Sequence, residues 1–339
     1  MSALVALIDS RGRDTSIEQR MFDEAGIRFV AAHCQDADEV VGLAAEATCI
    51  LSTRAIALTA ELMDRLPSLR AIVRYGIGVD NIDLDAATAR GIAACNVVDH
   101  CVDEVANHAF ALLLALNRQL LPLDSIVRQP DRAAAGEART SLGPVGPIRG
   151  ETLGLVAFGP IARSVATKAL GFGLDVIVSD PYVDPSIVVD LVGNQPVALD
   201  ELLTRSDYIS VHAPGGPATV GLIGARELAL CKPTAHIVLT SRGGVVDEEA
   251  LHQALVEGRL AGAGVDVWDP EPAGPDKPLA GLPNVIATPH FAYYSERSDE
   301  LMRERVAESA IDIVNGRVPR SVVNPKVLAS AGLVPSEDR

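Results

Sequence analysis

The chain has 339 residues, 48% of them hydrophobic, 22% charged and only 4% aromatic, the make-up of a globular protein of about two domains with an aliphatic core. Its 29 Lys and Arg against 45 Asp and Glu give a net charge of −16, which argues against non-specific binding to nucleic acid but leaves room for a small anionic substrate held by one Arg. Five widely spaced cysteines with no C-x-x-C pair argue against a disulfide framework or a metal site and for a reducing compartment.

The first residues, MSALVALIDSRGRD, lack a basic leader, and Asp9 ends their short apolar run. They read as a first strand, not a signal peptide. No apolar run reaches the length of a bilayer crossing, so a soluble, cytoplasmic protein without a membrane partner is expected. Further strands are expected at 27–33, 48–53 and 69–76, with helices at 59–66 and 83–91, an alternation that predicts a parallel sheet covered by helices. Residues 103–129 read as one long helix, too continuously apolar for a surface position and therefore expected between domains or at a subunit contact. The Ala-, Gly- and Pro-rich stretch 130–150 reads as a connection. A second alternation starts at Glu151. Its strands are expected at 152–158, 175–180, 208–214, 235–243, 261–268 and 284–290, and its helices at 161–173, 198–206, 225–233 and 248–260. A final helix at 295–317 is expected to pack back on the first domain. The predicted class is α/β with two doubly wound domains, residues 1–98 with 291–339 as one and 99–290 as the other.

The stretch LGLVAFGPIA (153–162) follows an expected strand and opens an expected helix, the setting of a dinucleotide-binding turn. Only the middle glycine of G-x-G-x-x-G survives, as Gly159. Ala157 and Ala162 hold the other two glycine positions, and Pro160 stands where an N–H would face a phosphate. Asp180 ends the next strand, 21 residues after Gly159. A carboxylate there accepts the adenosine ribose hydroxyls and repels a 2′-phosphate, which favours NAD over NADP. The helix start at Pro160 and Ile161 would face the pyrophosphate. A bare strand–helix turn explains the glycine alone; the strand, the helix and Asp180 together favour a cofactor site.

Arg242, in LTSRGGVVDEEAL, follows a strand and precedes two glycines. It suits bidentate capture of a carboxylate, although a lone Arg at a turn is more commonly a surface residue. Glu271 in DPEP and His290 in TPH are candidates for a carboxylate–imidazole proton donor, the carboxylate stabilising the imidazolium. His33, His100, His108, His236 and His252 are read as structural.

Arg242, Glu271 and His290, in this order and spacing, resemble the Arg–Glu–His set of the D-isomer-specific 2-hydroxyacid dehydrogenases. GIGVDNIDLDAATARGI, from Gly76, is similar to that family's substrate-domain signature, and the likeness runs from about residue 40 to 325. DHCVDEVANHAFALLLAL and PHFAYYSE look most like its C-terminal-binding-protein-like branch. The resemblance implies two Rossmann-like domains with the active site in the cleft between them. Residues 1–98 and 291–339 would form the substrate domain and 99–290 the NAD-binding domain, with a homodimer built through the latter. It implies that Arg242 binds the substrate carboxylate and carbonyl oxygen, that His290 protonates that oxygen, and that Glu271 holds His290. It also implies that amides around Gly76, Ile77 and Gly78 complete the carboxylate site and that Tyr293 faces the substrate. Asp266 would contact the nicotinamide, while His212, Ala213, Thr240 and Ser241 would line the NAD site.

The function expected is NAD-dependent interconversion of a small D-2-hydroxy acid and its 2-oxo acid, of glyoxylate or hydroxypyruvate type. The second reading, an NAD(H)-sensing regulator with little turnover, has no use for the intact proton donor. With no regulatory domain expected after the last helix, 3-phosphoglycerate is the less favoured substrate. Pro160 is expected to weaken NAD by roughly 1 kcal/mol, the worth of one hydrogen bond, and Ala157 to shift the turn slightly.

Overall fold

The computed structural model describes residues 3–128, 145–274 and 276–334. The chain divides into two compact units: residues up to Cys101 together with those from Ser295 on, and residues Val102–Tyr294. The expected boundaries fall a few residues short of these. The turn after His290 stays with the second unit because Asp266 of that unit holds its amides at Phe291 and Ala292.

The first unit carries strands β1 (Leu4–Leu7), β2 (Arg28–Ala31), β3 (Cys49–Ser52), β4 (Ala71–Arg74) and β5 (Ala93–Cys95). They lie in the order β2-β1-β3-β4-β5, all parallel. Side chains alternate across the sheet. Ala6, Ile8, Ile50 and Ile72 pack on one face with Val40, Leu62 and Ala87. Val5, Leu7, Leu51 and Val73 pack on the other with Phe22 and Val306. Helices α1 (Ser16–Glu24), α2 (Ala37–Ala44), α3 (Ala60–Asp64) and α4 (Leu84–Ala89) supply most of that cover. Three of them start on a side-chain cap, from Asp36, Thr59 and Asp83, each satisfying amides that the first helical turn leaves open.

The second unit carries β6 (Thr152–Val156), β7 (Asp175–Ser179), β8 (Tyr208–Val211), β9 (His236–Leu239), β10 (Gly262–Val265) and β11 (Val285–Ala287). The order is β11-β10-β9-β8-β6-β7, again parallel throughout. From β6 the chain steps to β7 on one side and later to β8 on the other. That reversal opens a crevice at the carboxyl ends of the strands, where such sheets bind ligands.

The long helix expected at 103–129 is two helices, α5 (Val102–Asn117) and α6 (Leu120–Arg128), bent by 63°. Gln119 has φ +50, and Pro122 in the first turn of α6 has no N–H with which to continue the ladder from α5. The two halves also differ in burial. Ala106, Ala109 and Leu113 of α5 are buried, whereas α6 buries none of its residues and exposes Leu120, Leu121, Leu123 and Val127. Among the described residues no single helix is long and apolar enough to cross a membrane. The connection expected at 130–150 falls mostly outside the described residues.

The remaining helices of this unit are α7 (Pro160–Phe172), α8 (Pro185–Val192), α9 (Leu199–Arg205), α10 (Ala225–Leu228) and α11 (Glu248–Val256). The final long helix, α12 (Glu296–Val314), belongs to the first unit and packs on α1, β3 and β4, as the sequence suggested. Its Arg303 reaches the wholly buried Glu18 of α1, with Nη2 2.9 Å from Oε2. The Tyr75 hydroxyl donates to Oε1 of the same carboxylate at 2.9 Å. A buried carboxylate needs such partners, since an unpaired charge in a core is strongly destabilising.

Candidate active site

Arg242, Glu271 and His290 follow β9, β10 and β11, three neighbouring strands, so all three stand at the carboxyl edge of the second unit's sheet. The loop after β9 lies directly on the loop after β10. A Cβ on Gly243 would sit 2.0 Å from the Trp268 carbonyl oxygen, so only glycine fits beside Arg242. The Arg242 guanidinium is steadied by its own loop, with Nη1 donating to the Ser241 carbonyl at 2.6 Å.

His290 and Glu271 meet directly. Nδ1 lies 2.8 Å from both carboxylate oxygens, and Glu271 Oε1 also accepts the Trp268 amide at 3.2 Å. The Trp268 indole donates to the Thr288 carbonyl at 2.9 Å, tying the Glu271 loop to the strand end that carries His290. Tyr293 stands edge-on to the imidazole, centroids 6.4 Å apart.

Asp266 has a duty that the sequence did not suggest. It is fully buried. Oδ1 accepts the Thr288 hydroxyl at 2.6 Å and the Phe291 amide at 2.9 Å, and Oδ2 accepts the Ala292 amide at 3.0 Å. The carboxylate therefore holds the turn around His290. This role stands beside the expected contact with a nicotinamide.

The glycine-poor turn keeps the shape of its motif. Ala157 adopts φ +70, the left-handed conformation that its missing glycine would supply, at a cost of about 1–2 kcal/mol. The chain is pinned there: the Ala157 amide donates to the Ser179 carbonyl at 2.9 Å and the Phe158 amide to Asp180 Oδ2 at 2.8 Å. Gly159 caps α7 and Pro160 is its first residue. Where a Cβ on Gly159 would stand, no atom of the described residues other than its chain neighbours lies within 4 Å, so the space over the helix start is open among them. Ile161 follows in the first turn, and Ala162 is fully buried, as the third motif position requires for close helix–strand packing. Asp180 directly follows β7, and its Oδ1 also accepts the Tyr182 amide at 2.8 Å.

His212 and Ala213 follow β8, and Thr240 and Ser241 follow β9. Burial lowers the His212 pKa to about 4, so this imidazole is neutral near pH 7; its Nε2 lies 2.9 Å from the Ser210 hydroxyl. The hydroxyls of Thr240 and Ser241 are buried with no hydrogen-bond partner among the described residues. Buried hydroxyls rarely stay unpaired, so these two are candidates for pairing with a polar ligand.

Gly76, Ile77 and Gly78 lie in the first unit, after β4. The Gly76 carbonyl accepts the Val97 amide at 3.1 Å, and the Ile77 carbonyl accepts Asn96 Nδ2 at 2.7 Å. Two of the loop's carbonyls are thus tied to residues 96 and 97. Two residues of the His290 surroundings were not expected there, Thr288, which the sequence did not single out, and His108, which was read as structural. Their Oγ1 and Nε2 atoms lie 3.1 Å apart. The available signal was the i, i+4, i+8 stripe of His108, Leu112 and Leu116.

Residues 110–292 match the profile described as D-isomer specific 2-hydroxyacid dehydrogenase, NAD binding domain. The chain is 40% identical over 271 residues to a glyoxylate reductase of Korarchaeum cryptofilum, covering 80% of this chain and 81% of that one. It is 36% identical over 324 residues to a D-3-phosphoglycerate dehydrogenase of Mycobacterium tuberculosis, covering 96% of this chain but only 59% of that longer protein. Among solved structures, a glyoxylate reductase from Paecilomyes thermophila superposes with a TM-score of 0.84 at 27% identity, covering 95% of this chain and 98% of that one. An NADPH-dependent glyoxylate/hydroxypyruvate reductase from Sinorhizobium meliloti, solved with NADP and malonate, gives 0.82 at 27% identity, covering 96% and 98%.

Proposed function

Because the chain belongs to the D-isomer-specific 2-hydroxyacid dehydrogenase family, and so is an NAD(P)-dependent oxidoreductase, we propose that it interconverts glyoxylate or hydroxypyruvate with the matching 2-hydroxy acid, using NAD(H). The observation that carries this reading is the Glu271–His290 pair, a proton donor held by a carboxylate at 2.8 Å, with Arg242 on the adjoining strand end.

Reduction of a 2-oxo acid builds negative charge on the carbonyl oxygen. His290 protonates that oxygen and takes the proton back in the reverse direction, while Glu271 keeps Nδ1 occupied and orients the ring. Arg242 binds the carboxylate and the same oxygen, and amides around Gly76, Ile77 and Gly78 complete the carboxylate site. Losing one such donor costs roughly 2.7–4 kcal/mol of transition-state stabilisation, as for an oxyanion donor. Tyr293 limits the room beside the reacting carbon. The neutral His212 cannot act as the acid.

The residues present fit a nicotinamide dinucleotide. The open space over Gly159 admits a pyrophosphate at the start of α7, and the unpaired hydroxyls of Thr240 and Ser241 await polar partners. When bound, the cofactor supplies the hydride chemistry. Asp180 supports NAD over NADP, since its carboxylate repels a 2′-phosphate. The exposed apolar side chains of α6 support a homodimer through the nucleotide unit, because a patch of this kind commonly marks an association surface. The narrower likeness to the C-terminal-binding-protein-like branch rests on two stretches, 99–116 and 289–296.

The test is cofactor oxidation at 340 nm with NADH and NADPH against glyoxylate, hydroxypyruvate, pyruvate and 3-phosphohydroxypyruvate. The proposal expects the first two to be turned over fastest, with NADH preferred. A preference for the phosphorylated acid would move the substrate to the 3-phosphoglycerate class. NADH binding without turnover of any acid would favour a sensor.

A further inference from the structure

We propose that His108 is a positioning residue for this reaction, setting the orientation of His290 through Thr288 and Asp266. The inference rests on the reading of His290 as the proton donor. It starts from the register of α5 on the sheet. His108, Leu112 and Leu116 are spaced four apart and share one face of the helix. A Cβ on Gly262 would lie 3.3 Å from Leu116 Cδ2, and one on Gly264 would lie 2.9 Å from Leu112 Cβ. The two glycines of β10 thus let the helix lie close against the strand. One further step along both elements brings His108 to Asp266, with Nε2 3.6 Å from Oδ1 and 3.1 Å from Thr288 Oγ1.

The direction of these hydrogen bonds follows from counting protons. Thr288 has a single hydroxyl proton, and at 2.6 Å it goes to Asp266 Oδ1, an acceptor. Thr288 Oγ1 must then accept from His108, so His108 Nε2 carries a proton. The chain runs His108 Nε2–H to Thr288 Oγ1–H to Asp266, and Asp266 holds the amides of Phe291 and Ala292. Those are the two residues after His290, which has φ +56, a left-handed conformation that a side chain this large adopts only when its surroundings impose it. Asp266 imposes it by fixing the next two amides, and Thr288 and His108 fix Asp266. Without His108 the Thr288 hydroxyl loses its donor and can turn from Asp266, loosening the turn that aims the imidazole. Aim governs the proton transfer, and a misplacement of about 1 Å can cost about a hundredfold in rate. Neither His108 nor Thr288 is among the residues assigned to the cofactor, so its affinity should change little when either is replaced.

The test compares His108→Ala, His108→Gln, Thr288→Val and the double variant His108→Ala/Thr288→Val with wild type and with His290→Ala. It measures steady-state kcat on the best 2-oxo acid, NADH affinity by fluorescence titration, and the thermal midpoint. His108→Ala and Thr288→Val should each lower kcat roughly tenfold or more while NADH affinity stays within about twofold. The double variant should be no slower than the slower single one, because both break one chain. His108→Gln, which keeps an N–H donor, should recover most of the rate. Wild-type kcat in His108→Ala, no recovery in His108→Gln, or multiplied losses in the double variant would overturn the inference. If His290→Ala itself kept the wild-type rate, the proton-donor reading would be the part that fails.

Discussion

Replacing Glu271 by Gln separates the charge of the His290 partner from its geometry. Gln keeps an amide oxygen that can accept from Nδ1 and from the Trp268 amide, so the contacts at 2.8 and 3.2 Å can persist while the negative charge is lost. The two side chains are 24% and 11% exposed, so water screens the pair only partly. A hydrogen bond to a charged group is worth about 1.5–3 kcal/mol and a neutral one about 0.5–1.5. The difference, about 1–2 kcal/mol, is the support that the contact with His290 loses, and it corresponds to roughly five- to thirtyfold in kcat. The assay is NADH-dependent reduction at saturating 2-oxo acid near pH 7, with NADH affinity measured alongside and expected to stay constant. A change of less than about twofold would show that the carboxylate charge is idle. A loss as large as that of His290→Ala would show that Glu271 does more than charge its partner.

Pro160→Ala restores one N–H at the start of α7 and should tighten NADH by about 1 kcal/mol, roughly fivefold in Kd; unchanged affinity by calorimetric titration would remove the pyrophosphate explanation. Burial holds the His212 pKa at about 4, below its ordinary 6.5, so between these values the unfolded chain binds the extra proton. The stability that His212 contributes is therefore complete above about pH 6.5 and is lost as pH falls toward 4. Thermal melts of the apo protein should show a smaller drop from pH 7 to pH 5 in His212→Asn than in wild type, and equal drops would contradict the buried-imidazole account. Gly243→Ala would drive a methyl into the Trp268 carbonyl and should destabilise by about 1–3 kcal/mol, lowering the melting midpoint by several degrees and kcat with it; an unchanged midpoint would mean that the two loops separate readily.

Much of this architecture was legible because parallel sheets leave a strong signature. The runs at 152–158, 175–180 and 235–243 are buried on both faces and read as nearly continuous aliphatic segments. Asp180, Thr240, Ser241 and Arg242, at the ends of these runs and just past strands β7 and β9, are at the sheet's carboxyl edge for that reason. The helix α1 was passed over because its face carries Glu18, whose burial makes sense only with Arg303, 285 residues away. The break between α5 and α6, at Arg118 and Gln119, was hidden by the apolar residues on either side of it. Ala157 looked like damage to the dinucleotide turn, yet the Ser179 carbonyl and the Asp180 carboxylate hold the neighbouring amides, and alanine takes the glycine conformation. The ties of Asp266 to Thr288, Phe291 and Ala292 were not legible, since these residues come together only when β10 and β11 pair.

The central claim is that His290, held by Glu271, donates a proton in the cofactor-dependent reduction of a small 2-oxo acid. The most direct measurement is the reduction of hydroxypyruvate with NADH by wild type and by His290→Ala, followed at 340 nm, with the configuration of the glycerate product determined. The account predicts D-glycerate from wild type and a rate at least about a hundredfold lower from His290→Ala, in line with the loss of a group aimed at the developing charge, at unchanged NADH affinity. Formation of L-glycerate, or a variant as fast as wild type, would contradict it.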